Sequence, residues 1–260
     1  MPDGPDYTLL DRDGLSAQLF FPRPDPSPTP QGASDHDVDV GGDVTIAGRR
    51  YVVDEAAPTI VYFHGNGEVI GDHDGLAPLY HSIGVNLFVF EFRGYGRSTG
   101  TPTIQHLADD GRTCGAWALE RLDHDGFTGP CLVMGRSMGA NPALEIAANV
   151  PGYRGLILES GAGSVDRYLR RFGLGPNDET ERLVDAHAAK LGRITAPTLL
   201  IHGRADDLVP LAVAEATASQ LTSSEVHTEY IEGAGHNDLL YVDAQRYMSA
   251  IAALVDRVSD

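Results

Sequence analysis

Lysine is almost missing from this chain. Of 19 basic residues only Lys190 is one, against 37 acidic residues and a net charge of −18. A field of that sign repels phosphate backbones and anionic lipid headgroups, so nucleic-acid binding is disfavoured. The low lysine content and the excess of aspartate over glutamate suit a surface kept hydrated in concentrated salt, or a mere codon bias. Cysteine is scarce too. Cys114 and Cys131 cannot build a disulfide framework, and no Cys/His spacing resembles a zinc site. No apolar run approaches the ~18 residues of a membrane span, and the opening MPDGPDYTLLDRDG lacks the basic and apolar regions of a signal peptide. We therefore expect a cytoplasmic protein with no membrane span.

What is present is 260 residues, 42% of them apolar, enough for one domain over 1–260 that needs no staples to fold. One stretch stands apart. Residues 22–43 are rich in proline, glycine, serine and aspartate with almost nothing to bury, and such a segment cannot repay its ordering entropy, so a mobile surface loop is expected. His36, flanked by Asp35, Asp37 and Asp39, belongs to the same solvated acidic loop in this reading, because nothing fixes a cation-ligand geometry.

After residue 44 the pattern turns regular. Short continuous apolar runs read as buried strands: Ile60–Phe63, Leu87–Phe92, Cys131–Met134, Leu156–Leu158 and Leu199–Ile201. Stretches of helical period lie between them, such as Leu107, Gly111, Cys114, Ala118 and Leu122. Continuous strands separated by helices imply a mostly parallel, doubly wound α/β sheet covered on both faces. Leu15–Phe21 and Val44–Val53, with no helix between them, suit an antiparallel pair at one edge. Ligands of such sheets bind at the carboxyl ends of the strands.

The run Cys131–Met134 leads into Gly135-Arg136-Ser137-Met138-Gly139 and then a helix of small residues, a G-x-S-x-G pattern in strand–turn–helix context. A serine on so sharp a turn sits in a strained backbone conformation, and the two glycines remove side chains that would collide. A hydroxyl near neutral pH needs a base to take its proton. Among ten histidines, His236 in Gly233-Ala234-Gly235-His236-Asn237 follows the last apolar stretch and precedes the terminal helix, at the correct sheet edge. The base needs a carboxylate to set its tautomer. Asp206 in HGRADDLVP (202–210) is favoured over the adjacent Asp207, with Glu159 as runner-up. The oxyanion of an acyl-transfer intermediate needs preorganised N–H donors. Met138 N–H is one. The second is assigned to Asn66 N–H in His64-Gly65-Asn66-Gly67-Glu68, where Gly65 and Gly67 permit close approach; His64 is expected to pack behind that loop on backbone.

At this point the chain resembles the serine hydrolases of the α/β-hydrolase superfamily, and within it a bacterial esterase-like and S33 serine-aminopeptidase-like branch. The likeness runs from about 44 to 258 and rests on HGNGE (64–68), EFRGYGRSTG (91–100), GRSMG (135–139) and HGRADDLVP followed by AGH (234–236). It implies nucleophile Ser137, acid Asp206, base His236, oxyanion donors Asn66 and Met138, and no cofactor or metal. Arg93 falls in the R-G-x-G turn that supports the site. Glu91 departs from the pattern, since relatives commonly carry Asp there.

A substrate-selecting cap is expected at 163–193, as two or three small helices over an open, modest pocket. Arg167, Arg170 and Arg171 cluster in it and are expected to form ion pairs on an otherwise acidic protein, rather than a cationic rim for anionic substrates. The hydroxyl nucleophile leaves esters, thioesters, lactones, and short peptides or amides as partners. Rivals are a thioesterase, an aminopeptidase using Glu68, Glu159 or Asp207 for the substrate amine, and a non-catalytic binding module. Asp72, His73 and Asp74 adjoin one another rather than taking metal-ligand spacing. Asp109 and Asp110 are read as complementing the dipole of the helix they open, and both cysteines as core.

Overall fold

Apolar runs that cannot satisfy their backbone alone pair edge to edge. In a computed structural model, which describes residues 4–222 and 224–259, β1 (Ala33–Asp39), β2 (Thr45–Tyr51), β3 (Thr59–Phe63), β4 (Asn86–Phe90), β5 (Cys131–Arg136), β6 (Tyr153–Glu159), β7 (Thr198–Gly203) and β8 (Val226–Ile231) form one sheet in the order β1-β2-β4-β3-β5-β6-β7-β8. β2 is antiparallel to both neighbours, and every pair from β4 to β8 is parallel. The helices are α1 (Thr8–Asp11), α2 (Ala77–Ser82), α3 (Ile104–His124), α4 (Ala140–Asn149), α5 (Val165–Arg171), α6 (Asp178–Leu191), α7 (Leu211–Gln220), α8 (Leu239–Val242) and α9 (Ala244–Ser259).

Period-two alternation divides each central strand between two cores. Val61 and Phe63 of β3 join Leu107, Cys114 and Ala118 of α3 and Leu144 of α4 on one face. Ile60 and Tyr62 join Tyr80 of α2 and Tyr247, Ile251 and Leu254 of α9 on the other. The expectation of a doubly wound, mostly parallel sheet with an antiparallel edge is borne out. Parallel register brings Phe63, Gly135 and Leu158 level across β3, β5 and β6, with Glu159 opposite Ile201 of β7. The loops that follow these strands therefore open on one edge. No helix among the described residues is long and apolar enough to cross a membrane.

The antiparallel edge uses other residues than expected. Arg12–Leu19 winds into tight helical turns rather than a strand, and the partner of β2 is β1, which lies inside the stretch read as a mobile loop. The physical reason is charge together with the burial of Val38, which is 1% exposed in the core. Arg49 of β2 is 1% exposed, and its Nε lies 2.6 Å from Asp35 Oδ1 of β1 while Nη1 lies 2.9 Å from Asp74 Oδ1. An arginine buried that deeply needs its carboxylates, and pairing with them draws β1 onto the edge. His36, on the inward side of β1, rests against Phe88 and Trp117. The prolines upstream are tied down as well: Gly96 N–H donates to the Arg23 carbonyl, and Gly71 N–H to Asp25 Oδ2.

The lone lysine is structural. Lys190 of α6 is buried, with Nζ 2.7 Å from both Glu145 Oε1 of α4 and the Tyr7 hydroxyl. Removing one partner of a buried ion pair costs up to about 3–5 kcal/mol, moderated here by Arg112 Nη1 at 3.2 Å from Glu145 Oε2, whereas removing both charges together is often nearly neutral. Lys190→Met is therefore expected to lower the melting temperature clearly, and Lys190→Met with Glu145→Leu to restore much of the loss. Thermal denaturation of the two variants measures it, and an equal loss in both would show that the pair is not the cause.

Candidate active site

The strand-to-helix turn after β5 holds Ser137 at φ 51°, a left-handed conformation that non-glycine residues seldom adopt. The neighbouring chain leaves no room for side chains around it. A Cβ on Gly135 would overlap the Gly139 carbonyl, and one on Gly139 would overlap the Phe63 carbonyl. The turn aims the Ser137 hydroxyl outward, where His236 Nε2 lies 2.9 Å away. On the far side of the ring, His236 Nδ1 lies 2.7 Å from Asp206 Oδ2. A carboxylate only accepts, so Nδ1 carries the proton and Nε2 is left to accept from the hydroxyl. Burial holds the imidazole below its ordinary pKa, opposed by the bond and charge of Asp206.

Asp206 is chosen over its neighbour by loop geometry. Its Oδ1 accepts N–H bonds from Leu208 (2.9 Å) and Val209 (2.7 Å), which turns Oδ2 toward His236. His202 Nε2 bonds the Val209 carbonyl at 2.8 Å and closes the loop from beneath. Asp207 is exposed. Glu159, the runner-up, does not reach the ring: its Oε2 accepts from the Tyr247 hydroxyl at 2.9 Å and its Oε1 lies 3.3 Å from Arg136 Nε.

Asn66 and Met138 line a cavity of about 280 Å³ together with Ser137. The loop carrying Asn66 is heavily braced. Gly67 has φ +80°, and a Cβ on Gly65 would strike Arg136 and Glu68. Asn66 Oδ1 accepts from Phe21 N–H (3.0 Å) and the Tyr95 hydroxyl (2.5 Å), and its Nδ2 donates to the Leu19 carbonyl. His64 is fully buried, with Nδ1 2.8 Å from the Gly65 carbonyl and Nε2 2.8 Å from Glu91 Oε2. Burial opposes charge on His64, but the Glu91 carboxylate outweighs it and raises the pKa. Glu91 Oε1 also accepts Ile70 N–H, so the glutamate that departs from the family pattern fixes both ends of this loop. Arg93 grips Asp110 of α3 with two bonds of 2.6 and 2.8 Å, away from the cavity. That pairing, not the helix dipole alone, accounts for Asp110.

Sequence reasoning passed over Arg136. Its guanidinium contacts Glu68, Glu159, the His236 carbonyl at 3.2 Å and Asn237 Oδ1 at 2.8 Å. Glu68 Oε2 in turn accepts Gly65 N–H. The available signal was Glu68 in the loop after β3 and Glu159 at the end of β6, on either side of the β5 end that carries Arg136. The arginines at 167, 170 and 171 depart from expectation: none of them forms an ion pair with another described residue. No cluster of His, Cys, Asp or Glu that could hold a metal ion occurs among the described residues.

Residues 54–177 match the family model "Serine aminopeptidase, S33". The Pyrococcus furiosus esterase Pf2001 superimposes with a TM-score of 0.73 over 92% of this chain and 100% of its own, at 19% identity. The chain has the α/β-hydrolase fold. The resemblance read from the motifs is thus borne out. Among sequence relatives, Rv2307c of Mycobacterium tuberculosis is 28% identical over 75% of the chain and 69% of its own length. Human alpha/beta hydrolase domain-containing protein 17B is 29% identical over 70% of the chain, which spans 61% of that relative.

Arg136 supplies the site's stability test. Arg136→Met leaves Glu68 and Glu159 facing each other without a cation, a loss of about 3–5 kcal/mol for a buried pair broken on one side. A clear fall in melting temperature is expected, and an unchanged melting curve would remove the guanidinium from its bracing role.

Proposed function

We propose that this protein is a serine hydrolase of carboxylic esters or thioesters, carboxylesterase-like in its reaction. The observation that carries the reading is the unbroken chain Asp206–His236–Ser137 ending at a cavity that Asn66 and Met138 also line. Ser137 Oγ attacks the carbonyl carbon while His236 Nε2 takes its proton. The developing oxyanion accepts N–H bonds from Met138 and Asn66, which typically supply a few kcal/mol of barrier reduction each. His236 then protonates the leaving group, and water activated by the same ring resolves the acyl-enzyme. Nucleophile, base and anion-stabilising donors all come from the chain, so no cofactor enters the scheme. The cap is assigned to 163–193, where α5 walls the cavity through Arg167 and Tyr168. Free Cys114 and Cys131 accord with a cytoplasmic location.

An aminopeptidase needs a carboxylate for the substrate's free amine. Glu68 and Glu159 are engaged by Arg136, Asp207 is exposed, and no Asp or Glu is among the residues lining the cavity. That favours uncharged or acidic acyl groups over amino-acyl ones. A thioesterase would use the same residues, and paired oxoester and thioester rates separate the two. A binding module has no need of a serine held in a strained conformation against a base.

Ser137→Ala is expected to lower nitrophenyl-ester turnover by at least about a thousandfold and to abolish fluorophosphonate labelling, with the melting temperature nearly unchanged. Retention of full activity would end the assignment. The pH profile follows from His236. The ring must be neutral to accept the proton, and burial has lowered its pKa, so the proton leaves earlier as pH rises. The acid limb of kcat/KM is expected below pH 6.5, with a level rate from there upward. A limb centred well above 6.5 would contradict a desolvated base.

A further inference from the structure

The cavity in front of Ser137 has the opposite charge to the molecule around it. Although the chain carries 37 acidic residues, those lining this cavity include none, and they include two arginines, Arg167 and Arg171. The two stand four residues apart on α5, so one helix face presents both. Arg167 is held in place by a bond from its Nη2 to the Leu208 carbonyl. The Arg171 side chain has no hydrogen-bond or ion-pair partner among the described residues. On a protein this acidic, carboxylates are abundant enough to pair surface arginines, as Arg12, Arg23 and Arg257 show. Two guanidiniums without a carboxylate partner beside a nucleophile are available to a ligand.

Direction in the site says which part of the ligand. The leaving group receives its proton from His236, so it departs on the His236 side of Ser137. His236 does not line the cavity, whereas both proposed oxyanion donors do. The cavity therefore takes the acyl half. Leu19, Val209 and Val213 give it apolar walls for a short methylene chain, and the two arginines belong to the same lining. A guanidinium matches a carboxylate with two parallel N–H bonds. Resting on the ester-hydrolase reading above, we propose that the acyl group of the substrate carries a terminal carboxylate, so that the protein cleaves half-esters of short dicarboxylic acids, with Arg171 and Arg167 as the residues that select them.

The test compares the 4-nitrophenyl half-ester of glutaric acid with the neutral 4-nitrophenyl valerate of the same chain length. In the unmodified protein kcat/KM should favour the half-ester by about tenfold, the gain expected of one charge-assisted pairing, and the difference should lie in KM. Arg171→Gln should erase that ratio and Arg171→Lys should keep most of it. Arg170→Gln is the control: Arg170 is exposed and does not line the cavity, so the ratio should stay. A ratio of one or less in the unmodified protein, or the same ratio in Arg171→Gln, overturns the proposal. So does a stronger preference for a phosphonate-terminated acyl chain, which would assign the arginines to phosphate. Calorimetric binding of monomethyl glutarate and methyl valerate to Ser137→Ala separates this proposal from the one it rests on. Selective binding of the half-ester without turnover of either nitrophenyl ester refutes the hydrolase reading alone. Turnover without selectivity refutes the arginine reading alone.

Discussion

One guanidinium joins the parts of the candidate site. Arg136 is the last residue of β5, and the backbone turns sharply at Ser137, so the two side chains leave the strand end in different directions. The hydroxyl goes into the cavity. The guanidinium goes beneath it and meets the Asn66 loop through Glu68, the end of β6 through Glu159, and the His236 loop through a carbonyl and Asn237. Burial disfavours its charge, but the two glutamates outweigh that and raise its pKa, so it stays a cation. Glu159, desolvated in the same cluster, is raised despite the arginine beside it. A network this dry is costly to leave incomplete, which is how it can hold three loops in fixed relation.

The loop that carries Asn66 is braced from two further directions. Behind it, the buried His64 and Glu91 lock its start and its continuation at Ile70. In front of it, the chain between Leu19 and Asp25 contributes a carbonyl, an N–H and a carboxylate to residues 66–71. Arg23 adds a bond from Nε to the Gly67 carbonyl at 2.7 Å and an ion pair with Asp72. Donors aimed at a developing charge are effective only when they need not reorganise. The proline-rich stretch, with few conformations to lose, is suited to such a strap.

Charge distribution separates the cavity from the surface. Acidic side chains crowd the exterior and pair with many of its arginines, while the space before Ser137 is walled by apolar groups and two guanidiniums. Long-range repulsion by the net charge and short-range attraction at α5 act on different scales, because salt screens exposed charges beyond about 10 Å. The local pair therefore governs what is held once a ligand has entered.

Order along the chain was enough for much of this. Buried strands alternating with helices require a parallel sheet, and glycines two residues either side of Ser137 require a turn too tight for side chains. HGRADDLVP and AGH mark loops at the same sheet edge, so the residues of the Asp206–His236–Ser137 chain were legible as types and spacings. What lay beyond the sequence were interactions between polar groups far apart in number. Asp35 pairing with Arg49 made a strand where composition implied a loop, because ion-pair partners leave no periodic trace. Arg136 looked like a free position in a motif, since only the register of β5 against β6 and the approach of Glu68 bring its carboxylates within reach. That Arg167 and Arg171 lack a carboxylate partner is likewise a property of which acids fold near them. Local patterns determine which elements form and which chemistry they carry; only their packing decides which charges meet.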